Sequence, residues 1–261
     1  MLTDGILLAL LLPFVGTTSG AACVLMMRDA LPAPLQKSLA GFAAGVMVAA
    51  SVWSLLIPSM EMTGSEGFIK VVPAVSGVVL GILFLLLLDI VTPHIHAGET
   101  QAEGPAARIS RSSKLALAVA LHNIPEGMAV GVTLAGVLEH NSYISISGAL
   151  ALSIGIAIQN FPEGAIVSMP LRVAGNSRPR AFAIGTLSGA VEPVAALLTM
   201  LLASIVAPLL PYLLAFAAGA MLYVVVEELI PETQEGTHSN LGTIGFALGF
   251  VLMMILDVVL G

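Results

Sequence analysis

Residues 113–138 read SKLALAVALHNIPEGMAVGVTLAGVL, and residues 143–171 read YISISGALALSIGIAIQNFPEGAIVSMPL. Each run is predominantly apolar and longer than the ~20 residues that an α-helix needs to cross the hydrocarbon core of a bilayer. Neither run alternates apolar and polar residues, as the strands of a membrane β-barrel do. The two runs therefore predict two consecutive membrane-spanning helices joined by a short turn.

The rest of the chain has the same character. Of its 261 residues, 57% are hydrophobic and only 10% are charged, whereas a soluble domain carries about 25% charged residues. We predict an all-α integral membrane protein in which residues 1–261 form a single polytopic domain. Its eight predicted spans are residues 5–27, 34–59, 68–92, 113–138, 143–171, 180–206, 208–231 and 240–260.

The basic residues predict the orientation of these spans. Eight of the nine Lys and Arg residues fall in the first, third and fifth loops, and loops rich in Lys and Arg face the cytoplasm. Both termini are therefore predicted to be extracytoplasmic. The longest of these loops, residues 93–113, is rich in Gly, Ser, Ala and charge, and we expect it to be flexible and cytoplasmic. The net charge of −7 argues against a nucleic-acid partner.

A hexapeptide recurs in the two quoted spans: residues 122–127 read HNIPEG and residues 159–164 read QNFPEG. Because residues three and four positions apart share one face of a helix, each copy presents three polar side chains on one stripe. The proline leaves a carbonyl of the preceding turn without its helical donor, and the glycine allows another helix to approach closely. The candidate metal ligands are His122, Asn123 and Glu126 in the fourth span and Gln159, Asn160 and Glu163 in the fifth.

A third carboxylate, Glu192, lies in the sixth span beside Pro193. An ionised carboxylate at membrane depth is costly unless it is paired. No Lys or Arg lies between Lys114 and Arg172 or in the interior of the sixth span, so protons or metal ions must supply the positive charge. Imidazole and carboxylate ligands without thiolate suit Zn, Fe(II), Mn, Co, Ni or Cd, and we favour a zinc-like ion.

A second group of candidate ligands lies near the predicted cytoplasmic ends of the third and seventh spans. One interpretation is an exit or holding site for metal. The other is a solvated acidic helix end with two loop histidines beside it, and the residues alone leave both open. The members of the group are Asp89, His94, His96, Glu227, Glu228 and Glu232.

Two other functions compete with a carrier. A metal-selective channel would use the same ligands without a moving part. An intramembrane zinc protease would need two histidines on one helical turn with a glutamate between them, and no such run occurs in the sequence. We therefore predict a transport protein and not an enzyme, with the metal as cargo and no resident cofactor.

The two hexapeptides resemble the paired signatures of the ZIP (Zrt-/Irt-like) divalent metal transporter family, in particular its bacterial GufA-like branch. The stretches GFAAG at residues 41–45, SGAVEP at 188–193 and EELIPE at 227–232 resemble the same branch. The resemblance implies two helix bundles, of which spans one, four, five and six carry the metal and slide like an elevator. It also implies a homodimer through the other bundle, a place as a multi-pass protein in the plasma membrane (the bacterial cytoplasmic membrane), and uptake of Zn²⁺ and related ions such as Cd²⁺, Fe²⁺ and Mn²⁺.

The resemblance further implies a binuclear site between the fourth, fifth and sixth spans. Some relatives hold Asp where Asn160 stands, and some hold His where Glu227 stands; a weaker second metal site and a more acidic exit are therefore expected here. The first ion would be held by His122, Glu126, Gln159 and Glu163. The second would be held by Asn123, Asn160 and Glu192, with Glu126 and Glu163 shared.

Overall fold

The computed structural model describes residues 2–26, 31–64, 66–93, 111–173, 175–203, 207–234 and 236–260, and these residues contain helices and no strand. Seven of the helices are long and apolar enough to cross a membrane, and an eighth contributes the apolar segment Asn123–Leu138. The predicted loop at residues 93–113 lies almost entirely outside the described residues. The helices are α1 (Thr3–Met26), α2 (Ala33–Glu61), α3 (Phe68–Val91), α4 (Arg111–Leu138), α5 (Ile146–Val173), α6 (Arg178–Leu202), α7 (Leu210–Gln234) and α8 (Leu241–Leu260).

The outer faces of these helices are apolar. In α3, large side chains with half or more of their surface exposed recur along the helix. A soluble protein rarely exposes contiguous apolar patches of this kind, whereas lipid tails solvate them. The predicted all-α membrane architecture is confirmed. The exposed side chains of this face include Val75, Val79, Leu80, Leu83, Leu87 and Ile90.

The helices pack as two bundles. In the first, α1 packs along α5, α4 packs along α6, and α1 also contacts α6. In the second, α2 packs along α8 and α3 along α7. The bundles meet where α2 faces α5 and where α4 faces α7. This grouping agrees with the two-bundle arrangement expected from the sequence.

Helix α6 is interrupted at Ala190, between an α-helix that ends at Gly189 and one that begins at Val191. Pro193 explains the break, because it has no N–H to donate to the carbonyl of Gly189. The interruption places Glu192 in the first turn of the second segment. The helices α4 and α5, by contrast, are continuous through Pro125 and Pro162.

Two helices of the second bundle each contain a π-helical turn that the sequence analysis did not anticipate. The turns cover Ser51–Leu56 in α2 and Val225–Leu229 in α7. Each is followed by an Ile-Pro pair, and a proline ring clashes with the carbonyl four residues earlier in a regular α-helix. Widening the preceding turn to bonds that span five residues relieves this clash in both helices.

Contacts at the helix ends agree with the predicted alternation of the spans. Lys37 Nζ, at the start of α2, donates to the carbonyl oxygen of Thr237 between α7 and α8 (2.6 Å). The Ser59 hydroxyl, at the other end of α2, donates to the carbonyl oxygen of Pro211 at the start of α7 (2.7 Å). The first and seventh loops therefore share one side, as odd-numbered loops must.

The orientation itself is testable with two conservative loop substitutions. Ser177 lies before α6 and Ser142 lies between α4 and α5, and both are exposed. In a Cys23→Ser background, Ser177→Cys should react with an impermeant maleimide only from the cytoplasmic side. Ser142→Cys should react only from outside, because loops rich in Lys and Arg stay in the cytoplasm. The reverse labelling pattern would overturn the orientation.

Candidate metal site

Five polar side chains from α4, α5 and α6 converge inside the first bundle, and none is more than 1% exposed. Glu163 on α5 is half-buried at the border of this group. The backbone of His122 belongs to α4, one residue before Asn123, but its side chain lies outside the described part of the structure. The five buried residues are Asn123, Glu126, Gln159, Asn160 and Glu192.

Hydrogen bonds fix the orientation of most of these groups. Gln159 Nε2 on α5 donates to Glu126 Oε1 on α4 (2.5 Å). Asn123 Nδ2 donates to the carbonyl oxygen of Ser188, next to the break in α6 (3.0 Å). The Thr17 hydroxyl on α1 donates to Glu192 Oε1 (2.8 Å). Asn123 and Gln159 therefore use their amide nitrogen and keep their oxygen uncommitted, and Glu126 and Glu192 each use one carboxylate oxygen and keep the other uncommitted.

The uncommitted oxygens are buried and have no hydrogen-bond partner among the described residues. Buried acceptors are nearly always satisfied in folded proteins, and leaving one unpaired costs about 1–3 kcal/mol. Several such acceptors in one bundle, with carboxylates among them, indicate a place for a cation. The oxygens are Asn123 Oδ1, Glu126 Oε2, Gln159 Oε1, Asn160 Oδ1 and Glu192 Oε2; Asn160 Nδ2 is also unpaired.

The carboxylates do not form a metal cage by themselves. Within the described ranges, no three His, Cys, Asp or Glu side chains lie close enough together to hold one ion. The amide oxygens of Asn and Gln must therefore complete any ligand set built from the described residues. The predicted ligands of α4, α5 and α6 do converge where their side chains are described. They form a mixed group of amides and carboxylates.

Glu163 is less buried than the other polar side chains of the group. Its carboxylate is within electrostatic range of Glu126 and Glu192, and also of Glu228 and Glu232 on α7. No Lys or Arg is available from the interior of α5 to balance it. Glu163 therefore connects the buried oxygens with the acidic end of α7.

Two glycines allow the helices of the site to approach closely, as the sequence predicted. A Cβ atom at Gly127 would collide with the carbonyl oxygen of Glu192 on α6. A Cβ atom at Gly164 would collide with the carbonyl oxygen of Thr17 on α1. The glycine of each hexapeptide thus brings its helix into backbone contact with a residue of the Thr17–Glu192 pair.

The predicted exit site is described only in part. His94 and His96 lie outside the described residues. Asp89 at the end of α3 accepts a hydrogen bond from the hydroxyl of Tyr223 on α7 (2.9 Å). Tyr223 is also within electrostatic range of Glu227 and Glu228, so three of the four acidic members of the group lie near one phenol. The sequence analysis did not identify Tyr223.

A cavity of about 270 Å³, lined by both polar and apolar side chains, lies between the two bundles, near the predicted extracytoplasmic ends of α2, α4 and α8. In its wall, Asp257 Oδ1 accepts a hydrogen bond from the Ser54 hydroxyl (2.6 Å), and Asp257 Oδ2 has no partner among the described residues. Thr133 on α4 also lines the cavity, about two helical turns from Glu126. The sequence analysis missed this feature, although Asp257 is an isolated acid in an otherwise apolar helix.

Comparisons with known proteins show which proteins the chain resembles. The family described as "ZIP Zinc transporter" matches residues 99–257. The chain is 39% identical to the zinc transporter GufA of Myxococcus xanthus, over 98% of each chain. It is 41% identical to the zinc transporter ZIPB of Bordetella bronchiseptica, over 95% of this chain and 79% of that one. It is also 38% identical to the human zinc transporter ZIP11, over 94% of each chain.

Proposed function

The chain belongs to the ZIP zinc transporter family, and we propose that it carries zinc into the cytoplasm through the buried site on α4, α5 and α6. It is a multi-pass protein of the cytoplasmic membrane and a transporter, not an enzyme. The observation that carries the proposal is the set of buried oxygens without donors in the first bundle. A divalent cation is the ligand that such a set lacks.

The ligand chemistry supports a zinc-like ion that is not bound too tightly. Amide and carboxylate oxygens dominate the described site, and thiolate is excluded because Cys23 is the only cysteine. His122 would add one imidazole from the same face of α4 as Glu126. Such a set accommodates Zn²⁺ and also Cd²⁺, Fe²⁺ and Mn²⁺, and modest affinity suits an ion that must be released again.

We propose that the site holds two ions. His122 and Gln159 would contact one ion, Asn123, Asn160 and Glu192 would contact the other, and Glu126 and Glu163 would bridge them. Binding of the second ion would draw Glu126, Glu163 and Glu192 closer together than they lie in this structure. The three carboxylates supply a charge of −3 against +4 for two divalent ions, which leaves +1 in a setting of low dielectric. The ion with two neutral amides and one carboxylate of its own should therefore be the weaker one.

This partition predicts the effect of Glu192→Gln. The substitution removes the only private carboxylate of the second ion, so bound zinc should fall from about two ions to about one, with transport slowed but retained. Equilibrium zinc binding to purified protein measures the number directly. Unchanged stoichiometry and affinity would show that Glu192 is not a ligand, and complete loss would show that the two positions are not separable.

We propose an elevator-type motion of the first bundle against the second. The hydrogen bonds between helices that are described above each join helices of the same bundle. In the first bundle such bonds join α1 to α6 and α4 to both α5 and α6. In the second they join α2 to α7 and α8, and α3 to α7. These bonds hold the helices of each bundle together, which suits a motion of one bundle as a unit against the other.

The polar features outside the site suggest a route for the ion. The cavity lined by Asp257 opens between the bundles at the predicted extracytoplasmic side, above Thr133 of α4. Glu163 is within electrostatic range both of the buried carboxylates Glu126 and Glu192 and of Glu228 and Glu232 of α7. Movement of the first bundle would carry the ion from the cavity toward these acidic groups, from which it would leave to the cytoplasm.

Zinc uptake into proteoliposomes tests the proposed function. The purified protein should accumulate zinc above the level of empty liposomes, with a rate that saturates as zinc concentration rises. A panel of Cd²⁺, Fe²⁺, Mn²⁺ and Ca²⁺, with pH and voltage varied separately, would define the cargo and the driving force. Absence of uptake for every ion in the panel would overturn the proposal.

A further inference from the structure

Thr17 is a polar residue of α1 that touches the metal site without belonging to the predicted ligand set. It is 1% exposed, and its hydroxyl donates to Glu192 Oε1 at 2.8 Å. The same hydroxyl has a second acceptor, the carbonyl oxygen of Pro13, at 3.4 Å. A hydroxyl has only one proton to donate, and bonds to ionised acceptors are shorter and stronger, so the carboxylate is the preferred partner.

The position of Thr17 is fixed from two sides. Its carbonyl oxygen packs against Gly164 of α5, where a Cβ atom would collide with it. Its side chain packs against Gly189 of α6, where a Cβ atom would lie 2.7 Å from Thr17 Cβ and 2.9 Å from Thr17 Oγ1. Packing therefore holds the hydroxyl at the break in α6, against Gly189 before the break and beside Glu192 after it.

The two fully buried carboxylates of the site are restrained in the same way. Glu126 Oε1 is occupied by Gln159 Nε2, and Glu192 Oε1 is occupied by the Thr17 hydroxyl. In each carboxylate the other oxygen, Oε2, accepts no hydrogen bond from the described residues, and the side chain of Asn160 lies near both carboxylates. A carboxylate restrained in this way is suited to binding a metal through one oxygen and poorly suited to binding it through two.

This restriction matters because the described ligands are all oxygens, which would otherwise suit calcium. Calcium takes 6–8 oxygen ligands and often binds carboxylates through both oxygens, whereas zinc is satisfied by about four ligands. We propose that Thr17 is a positioning residue that holds Glu192 as a one-oxygen ligand and so favours zinc over calcium. The inference rests on the proposed metal site. It means that a residue of α1, which supplies no ligand, determines the selectivity of that site.

Three variants isolate the hydroxyl. Thr17→Val removes it while keeping the shape of the side chain, Thr17→Ala removes it without adding a methyl group, and Thr17→Ser keeps it. A hydrogen bond to a charged group is strong enough that losing it should weaken binding roughly tenfold. Thr18→Val is the matched control, because the Thr18 hydroxyl is buried in the same helix and has no hydrogen-bond partner among the described residues.

The measurement is equilibrium binding of zinc to the purified full-length protein, with calcium as competitor. Thr17→Val and Thr17→Ala should bind zinc roughly tenfold more weakly and lose a similar factor in zinc-over-calcium selectivity. Thr17→Ser and Thr18→Val should stay within about threefold of the parent. If Thr17 acted through packing alone, Thr17→Val would keep the zinc-over-calcium selectivity of the parent, and Thr17→Ser would bind no better than Thr17→Ala.

Several outcomes would overturn the inference. The inference is wrong if a folded variant without the hydroxyl, Thr17→Val or Thr17→Ala, keeps the zinc-over-calcium selectivity of the parent. It is also wrong if Thr17→Ser loses as much zinc affinity as Thr17→Val. An equal loss in Thr18→Val would show that the effect is not specific to Glu192. If the parent protein binds no zinc, the proposed function itself is wrong. This result is distinct from failure of the inference about Thr17, because it appears in the parent before any variant is compared.

Discussion

Replacing Glu126 or Glu163 by alanine is expected to reduce zinc uptake to the level of empty liposomes. Each substitution removes a carboxylate that is proposed to bridge both ions, and neither α4 nor α5 contains another acidic residue that could replace it as a ligand. The Glu126 substitution also strands Gln159 Nε2, which donates to Glu126 Oε1 in the parent. Uptake by correctly inserted protein in proteoliposomes is the measurement.

The control for this result is Glu139→Ala. Glu139 follows the end of α4 and is exposed, so its substitution removes the same charge from the same part of the chain without touching the site. Glu139→Ala should transport zinc at the parent rate. Monodisperse elution and an unchanged melting temperature would establish that the three variants are folded. Parent-level uptake by both Glu126→Ala and Glu163→Ala would overturn the site assignment.

Glu126 and Glu192 are expected to have a different role in transport from Glu163. Glu126 and Glu192 are buried and each is restrained by a hydrogen bond from a neighbouring helix. Glu163 is half-buried and is within electrostatic range of the acidic residues of α7. We expect the two restrained carboxylates to set affinity and Glu163 to serve release, because only a group at the border of the site can exchange an ion with the next group along the route.

Sequence patterns predicted the membrane helices because lipid imposes a simple rule on each segment separately. A run of about 20 apolar residues must become a helix that satisfies its own backbone. The repeated hexapeptide predicted the site for a related reason, since spacing within one helix determines which side chains share a face. The convergence of Asn123, Glu126, Gln159 and Asn160 follows from these local rules.

The features that escaped prediction depend on contacts between distant parts of the chain. Thr17 and Glu192 are 175 residues apart, and no periodicity within α1 reveals which hydroxyl will meet a carboxylate. Tyr223 and Asp89 are joined across 134 residues in the same way. The π-helical turns were missed because proline predicts a disturbed helix without specifying whether the chain kinks, breaks or widens. Here α6 breaks, whereas α2 and α7 widen.

A cross-link across the boundary between the bundles would distinguish a carrier from a channel. On one side lie Val46 of α2 and Met253 of α8, and on the other lies Gly155 of α5. A Cβ atom at Gly155 would collide with the Met253 sulfur and would lie 3.6 Å from Val46 Cγ1. Cysteines at positions 46 and 155, with Met253→Ala to make room, would bring two sulfur atoms close enough for a disulfide, which needs Cβ atoms about 4 Å apart.

Oxidation of this cysteine pair is expected to reduce zinc uptake to the level of empty liposomes, and a reductant should restore it. The reason is that a covalent bond between α2 and α5 prevents the first bundle from sliding against the second, while all proposed ligands remain in place.

The protein used in this experiment also carries Cys23→Ser, so that no other thiol reacts. Two controls, each with Met253→Ala and only one of the two cysteines, should transport equally well with and without oxidant. Zinc binding to the oxidised pair should persist, which separates a locked carrier from a damaged site. Uptake that continues at the parent rate after complete cross-linking would rule out the elevator motion and favour a channel lined by the same ligands.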